Sequence, residues 1–322
     1  MNEATRRYTR NFYEDYETAR KLCRWDGDKL TVTMAATLIG NDFPTTMDRF
    51  KRAEDTIKKN SGMFSEFRSG YARKIIHAVI ATADDQPQAF NDIKKILSLL
   101  KPGLLASYTY PIAATIIWLT NEDGHYEAAT TKTLEIFGEV KNNHKIIGGD
   151  KDLLNCTLLA STGRDPQSIA DEYEECYKEL TKIYGKGSDT LFAAAAMALF
   201  QGDPGVKAQK IKELHMNLKA KRFYFTSAGL EMIALMAGLF DSNMEEIINE
   251  MREVSAELSK AKGLGSWGVG DKNRNMLSAA IVIAANTEDP KITLFAKQVI
   301  LNILCRQIQD DDASTTTMLA TM

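Results

Sequence analysis

Residues 165–204 read DPQSIADEYEECYKELTKIYGKGSDTLFAAAAMALFQGDP. An Asp-Pro pair opens the stretch, another closes it, and two different apolar patterns lie between. In the first, Ile169, Tyr173, Cys176, Tyr177, Leu180 and Ile183 recur three and four residues apart. That spacing puts them on one face of a helix and leaves the Lys and Glu side chains in water. Lys182 and Gly185 then supply a cation and a stop residue for the helix end. The second pattern, LFAAAAMALF at 191–200, is apolar almost all round. A helix without a polar face belongs in the middle of a layer, and small Ala side chains let neighbouring backbones approach closely.

Both patterns recur along the chain. Pro44, Pro87, Pro166, Pro204 and Pro290 each follow an acid, Asp42, Asp85, Asp165, Asp203 or Asp289, by one or two residues. Proline is tolerated at the first helical position because its missing N–H would be unbonded there, and an Asp cap satisfies other free donors. Amphipathic helices are therefore predicted to begin within about three residues of these prolines. Two further stripes fit: Phe90, Ile93, Ile96, Leu97 and Leu100, and Met244, Ile247, Ile248, Met251, Val254 and Leu258. The all-apolar pattern returns as AATIIWL, LLNCTLL, AAAAMAL and ALMAGL, closing at Leu119, Leu159, Leu199 and Leu239, forty residues apart. Looser copies end at Leu38, Ile80 and Ile283.

A fixed period of this size means stacked supersecondary units, none able to bury its apolar face alone. No stretch shows the sustained alternation of a strand. The expected fold is all-α: a helical-hairpin repeat array of about seven hairpins of about 40 residues each. It is either an open α-α superhelix or a closed α/α toroid. An N-terminal helix (residues 1–30, ending near Trp25) precedes the array (31–309), and the aperiodic residues 310–322 read as a disordered tail.

The segments NSGMFSEFRSGYARKIIHAVIATADD (60–85) and 165–204 resemble a bacterial family known only as a domain of unknown function, number 4003. In that family an FSxxR-like stretch precedes the first well-formed apolar helix; here it falls on Phe64, Ser65 and Arg68. The resemblance implies an all-helical fold over most of the chain and supplies no activity, cofactor or catalytic residue.

The composition, 44% hydrophobic and 26% charged over 322 residues, is that of a soluble globular protein. A net charge of −3 argues against a dedicated nucleic-acid binder, which is usually basic. Cys23, Cys156, Cys176 and Cys305 are scattered without metal-site spacing, which fits a reduced, cytoplasmic setting. No secretory signal is visible at the N-terminus. The longest apolar stretch, Leu104 to Leu119, carries Ser107, Thr109, Pro111 and Thr115 and falls short of the ~20 apolar residues of a membrane span.

Candidate chemistry is sparse, and no catalytic, cofactor or metal residue is assigned. GLGSWG at 263–268 is a literal GxGxxG, but a dinucleotide site needs that string between a strand and a helix, whereas here it follows a long helix. Ser266 is not a nucleophile elbow, because Leu264 stands where GxSxG needs Gly. Trp267 in that loop either folds onto adjacent helices or serves as an exposed anchor for a partner. His77, His125, His144 and His215 are far apart; only His125 has a carboxylate three or four residues away, Glu122. Glu231 is the one acid well inside an apolar segment, where it must be hydrogen-bonded, neutralised or facing a cavity.

Charges gather at helix ends. Asp42, Asp84, Asp123 and Asp203 share one repeat phase and are expected to cap helices. At the opposite edge, Lys141, His144 and Lys145, then Lys186, then Lys219, Lys221 and Arg222, then Lys260 and Lys262, complement helix dipoles and would also attract an anionic surface. The expected function is a non-catalytic scaffold binding a macromolecular partner, a protein ahead of nucleic acid. Lys141, Lys145, Lys186, Lys219, Lys221, Arg222 and Trp267 are its partner-binding candidates. The alternative is an α/α-toroid enzyme acting on a small substrate in a central cavity with Glu231 among its lining residues.

Overall fold

The computed structural model describes residues 1–24, 26–62, 67, 72–100, 108–121, 123–145, 149–150, 152–240 and 243–320, except for the side chains of 306 and 308–320. Phe64, Ser65, Arg68, Trp25 and Glu122 lie outside the described residues. The chain is all-α, with fifteen α-helices and no strand among the described residues. In order they are α1 (Glu3–Leu22), α2 (Gly27–Ala36), α3 (Met47–Asn60), α4 (Ala72–Thr82) and α5 (Gln86–Leu100). Next come α6 (Thr109–Thr120), α7 (Tyr126–Asn143), α8 (Asp152–Ala160), α9 (Pro166–Tyr184) and α10 (Ser188–Ala198). The last five are α11 (Pro204–Ala220), α12 (Leu230–Leu239), α13 (Met244–Leu258), α14 (Asp271–Ala285) and α15 (Pro290–Ala320).

The proline register holds. α9, α11 and α15 begin on Pro166, Pro204 and Pro290; α5 begins one residue before Pro87 and α3 three residues after Pro44. Asp165 and Asp203 cap their helices, accepting from the Ser168 and Val206 amides at 2.9 Å. Asp85 and Asp289 do the same for Gln88 and Lys291. Asp42 does not. Its helix starts late, so Thr46 is the cap of α3, while the Asp42 carboxylate pairs with Arg7 at 3.3 Å. The remaining members of the predicted acidic row also find local partners, Asp84 with Arg49 and Asp123 with His125.

Each amphipathic stripe is buried as its spacing requires. Ile169, Tyr173, Cys176, Tyr177 and Leu180 of α9 are in the core, with Ile183 partly buried against it. The even-numbered helices are buried almost all round: every residue of α8, Thr190–Ala198 of α10 and Leu230–Ala237 of α12. α10 packs extensively on α12, and Gly238 shows how closely the chains approach. A Cβ there would lie 2.1 Å from the Phe200 ring.

Neighbouring even helices touch in sequence order from α2 to α14, and odd helices do so from α3 to α11. Two contacts join distant parts of the chain. α1 packs against α2, α13 and α14: the N-terminal amine meets Glu253, and the Tyr16 hydroxyl donates to the Lys262 carbonyl at 2.9 Å. α15 packs against α14 and α2 and also reaches α12 and α8. Its first turn sits where even helices finish, with Lys291 donating to the Ser161 carbonyl at 2.6 Å and Thr293 against Gly40. Farther along, Gln307 bonds Asn273 at the start of α14, so α15 runs antiparallel to its neighbours. Phe295, Ala296 and Val299 of α15 are fully buried. Removing a side chain of Phe or Val size from water stabilises by about 1.5–3 kcal/mol. The helix continues to Ala320. No described helix is long and apolar enough to cross a membrane.

Candidate binding edge

The seven candidate residues all lie where an odd helix leads into the next even one. Lys141 is in the last turn of α7 and Lys145 just beyond it; Lys186 joins α9 to α10. Lys219 is in the last turn of α11, Lys221 and Arg222 directly follow the helix, and Trp267 stands between α13 and α14. The structure separates them by their partners. Lys141 lies over the Phe137 ring, 5.5 Å from its centroid, and Lys145 and Lys186 are exposed. Lys221 forms an ion pair with Glu245 at 2.6 Å, and its carbonyl accepts from Arg252. His144 leaves the surface altogether: it is buried, with Nε2 2.7 Å from Glu174 and its ring edge-on to Tyr177.

Arg222 has an uncommon backbone. Its φ is 55°, the only positive value at a non-glycine residue among those described. The Arg222 N–H donates to the Lys219 carbonyl and the Phe223 N–H to the Leu218 carbonyl, at 3.0 and 2.9 Å. That pair of bonds is a Schellman motif closing α11, with Phe223 and Leu218 both buried beside it. The left-handed position of the motif is usually Gly, since a side chain there costs about 1–2 kcal/mol. An exposed Arg in that place is a conformational cost carried at the rim of the edge.

Trp267 is fully exposed, at 104% of its reference area, and so does not fold onto the adjacent helices. Its loop is nevertheless tied down. Val269 N–H bonds the Gly263 carbonyl at 3.0 Å, Ser266 bonds Asp271 at 2.7 Å, and Arg274 holds the Leu264 carbonyl. Gly268 comes so near Gly263 that a Cβ would meet its carbonyl oxygen at 2.0 Å. The glycines of GLGSWG thus serve a self-bonded loop following a helix, not a phosphate cradle between strand and helix.

Lys219 also borders a cavity of about 700 Å³ between the ends of α9 and α11 and the starts of α10, α12 and α14. Tyr184, His215, Tyr224 and Lys272 are among its walls. Sequence reasoning missed this grouping because its members come from four separate segments. The one local signal was the four-residue step from His215 to Lys219, which places both on one face of a helix.

Chemistry elsewhere is quiet. His77 is a core residue whose Nε2–H donates to the Phe50 carbonyl at 2.7 Å, and burial lowers its pKa. His125 pairs with Asp123 rather than standing near a described metal ligand. Among the described residues no group of three or more His, Cys, Asp or Glu is placed to hold a metal ion. Glu231 is buried on α12, and the cavity takes its lining there from Leu230 and Ile233 instead. All four cysteines are buried and none forms a disulfide.

The chain belongs to the family described as protein of unknown function (DUF4003), whose model it matches over residues 15–310. Both segments carrying the sequence resemblance fall inside that span. No curated protein and no solved structure matches the chain.

Proposed function

We propose that this protein is a non-catalytic bacterial scaffold working in the cytoplasm. Its helices pair as hairpins in a repeat array, closed into a ring by α1, and it holds a protein partner along the edge where odd helices end. Trp267 carries the reading. A fully exposed indole on a loop tied by backbone and side-chain hydrogen bonds is pre-organised, so a partner burying it loses little conformational entropy. Burying about 200 Å² of aromatic surface at about 25 cal/mol per Å² is worth roughly 5 kcal/mol before association costs, the scale of an interface hot spot. The exposed cations Lys186, Lys219 and Arg222, with Lys141 and Lys145 one helix pair away, suit an acidic segment beside the pocket that receives the indole. Arg222 supports this, because its side chain is kept at a backbone position where Gly is easier.

The toroid-enzyme alternative needs an open centre. The packing of α15 against α2, α8, α12 and α14 argues against one.

The test compares three tagged forms in a pull-down from bacterial lysate read by mass spectrometry: wild type, Trp267→Ala, and Lys219→Glu/Arg222→Glu. The proposal expects a protein retained by wild type and lost from both variants. An identical set retained by all three, or no protein retained by wild type, overturns it.

A further inference from the structure

We propose that the cavity at the end of α11 is a small-molecule site for a planar aromatic ring carrying one anionic group, phosphate or carboxylate. Its volume of about 700 Å³ falls within the ~300–1,000 Å³ usual for ligand pockets.

Its walls are partly aromatic. Tyr184 of α9 and His215 of α11 stack with centroids 5.6 Å apart and planes 28° apart. The connection after α11 also contributes Phe223 and Phe225, edge to face at 5.7 Å, and Tyr224, 48% exposed. This connection is folded tightly: a Cβ on Gly229 would lie 2.4 Å from that of Phe225. Leu218, Leu230 and Ile233 give the cavity an aliphatic floor. An aromatic ring gains by stacking or edge contact against such walls, beyond its area burial.

Three charged residues line it, Lys219, Lys272 and Asp189, together with the hydroxyls of Thr190, Thr226 and Ser227. Lys219 and Lys272 are exposed cations from different helices, and both border the cavity. Asp189 in the first turn of α10 leaves one net positive charge between the three. Burial and the Lys219 charge depress the His215 pKa, so its imidazole is neutral and acts as a wall. Asp189 disfavours a ligand with charge spread over its whole surface and suits one with a hydroxyl or N–H away from the anionic group. The inference rests on the cavity alone and not on the protein-partner reading.

The test is titration calorimetry on the full chain with adenosine monophosphate and indole-3-acetate, with adenosine and inorganic phosphate, and indole and acetate, serving as their separated halves. The expected result is binding of at least one ring anion with Kd below about 1 mM, and of its halves at least about tenfold more weakly. Which ring anion binds identifies the anionic group. Lys219→Glu/Lys272→Glu and, separately, Tyr224→Ala should each weaken binding by about tenfold or more. All three side chains are exposed, and unchanged melting of the variants verifies their fold. Trp267→Ala should leave this binding intact. The proposal fails if neither ring anion binds, if a separated half alone binds as tightly, or if both pocket variants bind like wild type.

Discussion

Replacing Arg222 by Gly should make the protein more stable. The residue occupies the left-handed position of the motif closing α11, with φ 55°. Relief of the Cβ clash is worth about 1–2 kcal/mol. Against it stands the larger unfolded-state entropy of Gly, about 0.4–1 kcal/mol. The net expectation is a gain of roughly 0.5–1 kcal/mol, or about 1 °C in Tm for a chain of this size. Arg222→Ala is the matched control: it removes the same charge and keeps the strained backbone, so its stability should stay near wild type. Urea unfolding at constant slope measures all three. Equal midpoints for the Gly and Ala variants, or a Gly variant less stable than wild type, would refute the backbone argument. Both variants should lose affinity for the protein partner, which would mark Arg222 as kept for binding at the expense of stability.

Phe295→Ala, in the fully buried part of α15, should cost about 3–5 kcal/mol in one cooperative transition; a separate early loss of α15 alone would contradict its place in the core. Asp203→Ala should cost about 1 kcal/mol in thermal unfolding through loss of the bond to the Val206 amide, while Asp42→Ala, which caps nothing, should cost less. Burial pushes the Asp15 pKa up to about 7 against the lowering effect of the Thr45 amide, and burial likewise brings Asp152 to about 6. Between the ordinary value of 3.8 and about 7 the folded state therefore binds more protons than the unfolded one, and stability falls as pH rises through that window. Asp15→Asn keeps the acceptor for Thr45 and should raise stability at pH 8 by on the order of 1–3 kcal/mol, with little change at pH 4, read by denaturant titration at the two pH values.

The local part of this architecture was legible in the sequence. The Asp-Pro starts, the stripe of α9 and the apolar segments around Ala193–Ala198 depend on residues only a few positions apart, and their pattern survives in the helices. What joins the ends of the chain was not. The Tyr16 bond to Lys262 and the packing of α15 on α2 and α8 bring together residues more than a hundred positions apart, with no periodic trace. The same limit applies to the edge. Helix-end cations were readable from dipole logic, but Glu245 and Glu174, which occupy Lys221 and His144, come from neighbouring helices. Nothing in KAKRFYF announces a left-handed Arg222, since the usual signal at such a position is Gly.

The most direct test places a photo-crosslinking amino acid at position 267 and, as control, at position 43. Phe43 is also exposed (81%) but lies after α2, at the end of the molecule where even helices finish. The scaffold account predicts a discrete protein adduct in cells from position 267, reduced by Lys219→Glu/Arg222→Glu, and no matching adduct from position 43. The same adducts from both positions, or none from 267, would contradict it.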